Sequence, residues 1–95
     1  NLPYDACVEI PVFADKDGIH KTIVGELPAH LAILVSTTAQ IENLVVRAAM
    51  TKSRADVYHA VMMDPLCSAV CSLQEIRNMC DLIFEKNTDY LGDYK

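Results

Sequence analysis

The sequence lacks nearly everything that would announce a self-contained active site. Glycine occurs three times in 95 residues, so there is no glycine-rich phosphate loop. No Gly-x-Ser-x-Gly elbow and no His-Glu-x-x-His pair is present either. Basic residues are scarce, eight Lys and Arg against thirteen Asp and Glu, for a net charge of −5. The densest basic stretch, Lys52 and Arg54, is too thin for a nucleic-acid patch or a polybasic membrane anchor. Neither nucleic acid nor a membrane surface is therefore expected as a partner. The longest apolar run, Leu31 to Val35, falls far short of the ~20 residues of a membrane span. Asn1-Leu2-Pro3-Tyr4-Asp5 shows neither the basic nor the apolar region of a secretory signal. The chain does not begin with Met, and an excised or processed piece of a longer protein is expected. Cysteine, at four residues, lies below the ~8–10% of disulfide scaffolds. Cys7, Cys67, Cys71 and Cys80 sit among apolar residues. They read as reduced thiols of a cytoplasmic protein, acting as small buried hydrophobes.

What is present is apolar. Hydrophobic residues make up 52% of the chain and charged ones 22%, which excludes intrinsic disorder. At 10.5 kDa the chain has room for one domain, in which roughly 64% of the unfolded surface would be buried. So apolar a composition in so small a unit predicts that part of its surface lies against something outside the chain.

Residues 6–24 read as a β-hairpin. In the first strand Val8, Ile10 and Val12 alternate with Glu9, Pro11 and Phe13. Pro11 cannot donate to a ladder, which predicts an edge strand or a bulge. Asp15-Lys16-Asp17-Gly18 is the turn, Gly18 supplying positive φ, and Ile19 to Val24 returns. A lone hairpin is marginal in water, so it is expected to lie on another element. Pro28 suits the first residue of a helix over 28–52. Leu31, Leu34, Thr38, Ile41, Val45 and Ala48 form its stripe. Ile33, Val35, Leu44 and Val46 fall off that stripe, predicting burial from several sides. Ser36-Thr37-Thr38 is a candidate kink. Ser53 is a candidate cap for a helix over 54–63, stopped at Asp64-Pro65. Ser72 and Glu75 form a capping-box pattern opening a helix over 73–86, with Leu73, Ile76, Met79, Cys80 and Ile83 on one face. Residues 87–95 read as a polar surface tail. The class is α+β and mostly helical, an N-terminal hairpin followed by about three helices.

Candidate chemistry is thin. Cys67 and Cys71 are four apart, but no second clustered pair completes a zinc site. His20, His30 and His59 sit on three different elements. His59, beside Tyr58, fits a buried hydrogen-bonded histidine. Asp5 and Glu9 are a conceivable acid and base, though a solvated strand explains both. Asp15-Lys16-Asp17-Gly18 has part of a calcium-loop pattern without its terminal Glu, and is most simply a turn.

Several strings, taken in order, resemble the C-terminal part of family-4 glycoside hydrolases. Asn1-Leu2-Pro3-Tyr4-Asp5-Ala6-Cys7-Val8-Glu9-Ile10-Pro11-Val12 is similar to the family's NLP-x-D-x-x-VE-x-P segment, and Asp17-Gly18-Ile19-His20 to its hairpin turn. Val24-Gly25-Glu26-Leu27-Pro28 is similar to VG-x-LP, and Gln40 to Ala49 to x-x-EL-x-VEAA. Val57-Tyr58-His59-Ala60-Val61-Met62-Met63-Asp64-Pro65-Leu66 is similar to Y-x-A-x-x-x-DPL, and Ser72-Leu73 with Glu75-Ile76 to SL-x-EI. Arg47 stands where the family often has Glu, and Lys21 where it often has Pro. The resemblance implies the C-terminal part of the lactate-dehydrogenase-like fold. It implies a cytoplasmic, oligomeric enzyme that hydrolyses α-glucosides, α-galactosides or α-galacturonides by oxidation and elimination, with NAD and Mn2+ as cofactors. The motifs for NAD, metal and catalysis are absent from this chain, so no catalytic, cofactor or metal residue is carried over and the piece alone is expected to be inactive. Asn1, Leu2 and Pro3, at the family's junction, are the candidate substrate-side residues. Two other readings stay open: a stand-alone interaction module, and the C-terminal region of a lactate/malate-dehydrogenase-type oxidoreductase.

Overall fold

The computed structural model describes residues 1–95. An antiparallel hairpin is followed by helices: β1 (Val12–Asp15), β2 (Gly18–Lys21), α1 (Ala29–Thr51), α2 (Arg54–Met63), α3 (Pro65–Val70), α4 (Leu73–Lys86) and α5 (Thr88–Leu91). The α+β, mostly helical class holds. Contacts divide the chain into two compact units, Asn1–Ala39 and Gln40–Lys95.

The first unit carries the hairpin, in register Val12↔Lys21 to Asp15↔Gly18. The strands are shorter than the alternation suggests. Pro11 has no N–H to give, and its carbonyl instead accepts from Thr22 N–H (3.3 Å) and Thr22 Oγ1 (2.6 Å). Regular pairing stops there, so Val8, Ile10, Ile23 and Val24 lie outside the ladder. The turn works as its residues predict. Gly18 sits at φ +126°, and the Asp15 carboxylate accepts from Asp17 N–H at 2.8 Å. All eight strand residues are exposed, so the expected support under the hairpin is not supplied by this chain.

Helix α1 begins where Pro28 offers its carbonyl to the N–H groups of Leu31 and Ala32, both at 2.9 Å. It runs 23 residues without a break at Ser36-Thr37-Thr38. Thr37 Oγ1 donates to the Ile33 carbonyl one turn back, at 2.9 Å, so the hydroxyl is satisfied inside the helix rather than against it. The expectation of burial on several sides fails. Ala32, Ala39 and Ala48 are buried, while Ile33, Val46 and Met50 are exposed. Ile41 and Leu44 are partly buried, but most of the large apolar side chains of α1 are left exposed. By length and composition α1 is also apolar enough to cross a membrane. Counting uninterrupted apolar residues missed this, because Ser36-Thr37-Thr38, Gln40 and Asn43 break the apolar run although the helix carries only two charges, Glu42 and Arg47.

The second unit holds the deepest packing. Helix α1 ends with Lys52 at φ +56°, and Ser53 N–H bonds back to the Ala48 carbonyl at 3.2 Å, a Schellman-type stop. Ser53 then caps α2, accepting from Asp56 N–H at 3.2 Å. Asp64 ends α2 and starts α3, its carboxylate accepting from Cys67 N–H at 2.8 Å with Pro65 at the first helical position. The capping box at α4 is fully formed: Ser72 Oγ accepts from Glu75 N–H (3.3 Å), and Glu75 Oε2 accepts from Ser72 N–H (2.8 Å). Ile76, Cys80 and Phe84 form the buried stripe of α4, with Ile76 wholly buried. The segment after α4 is not a loose tail. It adds α5, then seats Tyr94 against Phe84 with ring centroids 5.7 Å apart. Lys95 N–H donates to the Lys52 carbonyl, and Arg54 N–H to the Lys95 carbonyl, each at 2.8 Å.

Candidate functional site

In the first unit, the junction residues are tied down by the Asn1 amide. Its Nδ2 donates to the Leu27 carbonyl and its Oδ1 accepts from Leu27 N–H, both at 2.9 Å. The side chain thus copies a strand residue and pairs with one backbone position 26 residues away. Pro3 offers its carbonyl to Ala6 N–H at 3.1 Å, turning the chain after the junction. Gly25 takes φ +89°, a conformation costly for any residue with a Cβ, and so sets Leu27 in place. The two strings NLP and VG-x-LP are therefore one structural clasp. Asn1 is exposed, Leu2 and Pro3 are partly buried, and with its amide engaged at both ends this group positions backbone rather than moving protons.

The other candidates do not assemble into chemistry. Asp5 and Glu9 are exposed. His20 Nε2 lies 3.0 Å from Asp15 Oδ1, and this contact, with Asp17 N–H, holds the Asp15 carboxyl below the usual carboxylate range. It is the hairpin turn stabilising itself. His30 is exposed in the first turn of α1, and His59 is exposed rather than buried. The partner next to His59 is the group that bonds: Tyr58 OH donates to Asp81 at 2.5 Å, which raises the phenol's pKa. All four cysteines are free, but only Cys80 is buried, where loss of water pushes its thiol up. Cys67 is pushed up by the Asp64 carboxylate beside it, and Cys7 is exposed, against the expectation of burial. No three His, Cys, Asp or Glu side chains lie close enough to hold a metal ion. These residues therefore do not fit the divalent metal, and without a glycine-rich turn opening a helix they do not fit a dinucleotide either.

Two features of the second unit were not legible as sites. Arg47 forks onto Asp56, with Nε to Oδ2 at 2.9 Å and Nη2 to Oδ1 at 2.7 Å, so a position that departs from the family pattern is a joint between α1 and α2. The pair holds the Asp56 carboxyl below its usual range. The second feature is an apolar cavity of about 170 Å3 between α2, α4 and the tail, lined among others by Val57, Val61, Cys80, Leu91 and Tyr94. Nothing in it offers a nucleophile activated by a base.

Residues 1–67 match the model of the family 4 glycosyl hydrolase C-terminal domain. The chain belongs to that family. The alpha-galactosidase of Bacillus subtilis (strain 168) is 40% identical over 95 residues, covering 100% of this chain and 22% of the relative. The alpha-galactosidase of Rhizobium meliloti (strain 1021) is 32% identical over 94 residues, 99% of this chain and 19% of the relative. An alpha-galacturonidase of Lachnoclostridium phytofermentans is 25% identical over 91 residues, 96% of this chain and 20% of the relative. The chain thus spans about a fifth of the length of the curated relatives it matches. No solved structure matches it significantly.

Proposed function

We propose that this family 4 C-terminal domain serves a cytoplasmic α-glycosidase that cleaves α-galactosides and depends on NAD and manganese. Within it, the 95 residues supply framework and subunit contacts rather than chemistry. The observation that carries the substrate is the alignment of the whole chain, at 40% identity, with an alpha-galactosidase. The framework role is supported by what the chain contains. Several of its carboxylates serve caps, turns and the Arg47–Asp56 joint, while α1 presents Ile33, Val46 and Met50 outward. An apolar face of that kind marks an interface. We read it as covered by protein rather than lipid, because the family is a hydrolase domain. The oxidation and elimination chemistry of the family resemblance is assigned no step on these residues, which hold neither its metal nor its dinucleotide.

The test uses the full-length protein. Chromogenic α-galactoside, α-glucoside and α-galacturonide substrates are assayed with and without NAD, Mn2+ and EDTA. Turnover of the α-galactoside that requires both NAD and the metal is expected, with the 95-residue chain alone inactive. Turnover indifferent to both, or none across the panel, overturns the proposal.

A further inference from the structure

The segment after α4 is fastened to the second unit by few groups. No residue from Glu85 to Lys95 is buried, and only Leu91 and Tyr94 are partly so. Helix α5 has four residues and no side-chain cap at Asn87. The far end is held by Lys95, whose N–H and carbonyl bond to the backbones of Lys52 and Arg54. Asp93 adds an ion pair to Lys52 at 3.7 Å, between exposed side chains, a kind of contact worth little. The Tyr94 ring lies 5.7 Å from Phe84 and 4.9 Å from the Lys52 ammonium. What lies beneath the segment is not filled. Leu91 and Tyr94 line the cavity of about 170 Å3 together with Val57 and Val61 of α2 and Cys80 and Phe84 of α4. Side chains that face a void lack the partner atoms that close packing supplies, so both anchors are held more weakly than full packing would hold them. The groups under the segment are nonetheless well covered, Cys80 being 3% and Phe84 4% exposed. Helices α2 and α4 have contacts of their own. Tyr58 meets Phe84 edge to face at 6.2 Å, and its OH bonds to Asp81.

We propose that residues 88–95 form a strap that lifts and closes as one piece over this cavity while α2 and α4 stay packed, with Tyr94 as its fastener. Folded proteins open in cooperative pieces of this kind where apolar anchorage is thin. Closed, the strap holds the backbones of Lys52 and Arg54 and so fixes the corner at which α1 gives way to α2. Open, it frees that corner and bares the Cys80 thiol. The inference does not depend on the glycosidase reading, since no group of the strap is given a step in the reaction.

Cys80 serves as the reporter. The full-length protein is treated with N-ethylmaleimide in native buffer, and alkylation of Cys80 is followed by peptide mass spectrometry beside the same protein unfolded in urea. Hydrogen exchange of the peptides holding Arg54 and Lys95 is read in parallel, because both amides lose their partners when the strap lifts. Two variants separate the strap from general unfolding. Tyr94→Ala removes the fastener, and Ile76→Val weakens the wholly buried core of α4 outside the cavity lining. Cys80 is expected to react far more slowly in the folded wild type than in the unfolded protein. Tyr94→Ala is expected to speed it roughly tenfold, the change in a closing equilibrium when a partly buried ring is lost, and to speed exchange at Arg54 and Lys95 by the same factor. Ile76→Val is expected to leave both rates unchanged. Equal acceleration in the two variants would mean exposure by general unfolding and overturns the proposal. Faster alkylation without faster exchange would mean a hole left by the ring rather than a lifted strap, and overturns it too. So does a Tyr94→Ala protein with wild-type rates, or a folded wild type that reacts as fast as the unfolded chain.

Discussion

Lys52 is the one non-glycine residue with positive φ. It sits where a helix usually ends in glycine, and left-handed backbone costs an ordinary residue roughly 1–2 kcal/mol. Its side chain returns part of this through Tyr94, since an exposed cation over a ring is worth about 0.5–1 kcal/mol, and through Asp93. Lys52→Gly is therefore expected to leave stability nearly unchanged, the relieved backbone offsetting the lost contacts. Lys52→Ile keeps the strain, adds a β-branch and loses both contacts. It is expected to be less stable than the glycine variant by roughly 1–2 kcal/mol. Urea unfolding of the two variants side by side checks this, and equal midpoints would show that the stop carries no strain. Sequence reading could not find this residue, because a lysine carries no signal of left-handed backbone. It found Gly18 and Asp15 readily, because glycine and aspartate in a turn do.

Among the elements, helix boundaries were the most legible feature, because caps are local chemistry. Ser53, Ser72 with Glu75, and the stop at Asp64-Pro65 all act as their side chains dictate. Of the two helices missed, α3 and α5, α3 used the same signals, Asp64 as cap and Pro65 at the first position, already read only as an end. Ser72→Ala is expected to cost about 1 kcal/mol, seen as a lower urea midpoint for the helical signal. The caps also set a pH dependence. Asp64 is held below the usual carboxylate range by the Cys67 N–H, Glu75 by Ser72 and Asp56 by Arg47. A carboxyl with a lowered folded pKa gives stability that is present above its unfolded value, about 4. That stability is lost as pH falls through the folded values. The unfolding midpoint is thus expected to be level from neutral pH to about 5 and to fall below 4, and less steeply in Ser72→Ala, whose Glu75 loses a partner. A midpoint unaffected by acid would mean that these caps are open in solution. Strand ends were legible in kind but not in extent, since Pro11 closes the ladder earlier than the alternation of Val8, Ile10 and Val12 implies.

For the molecule as a whole, composition already indicated surplus apolar surface, and α1 carries a large share of it. The sequence could not show that this face goes uncovered, because periodicity reports which residues share a face, not whether a partner is present. The isolated 95-residue chain is expected to associate with itself and to bind a hydrophobic dye. Light scattering giving a monomer with no dye enhancement would mean the face is closed by the chain itself. The clasp of Asn1 on Leu27 has a different consequence. It fixes both ends of a 26-residue excursion at a single point, so the hairpin between them hangs outside the path of the main chain. The energetic penalty for lengthening such a closed excursion rises only logarithmically. The hairpin is accordingly a cassette: its tip is a place where residues can be added, exchanged or tagged while the segments entering and leaving keep their positions.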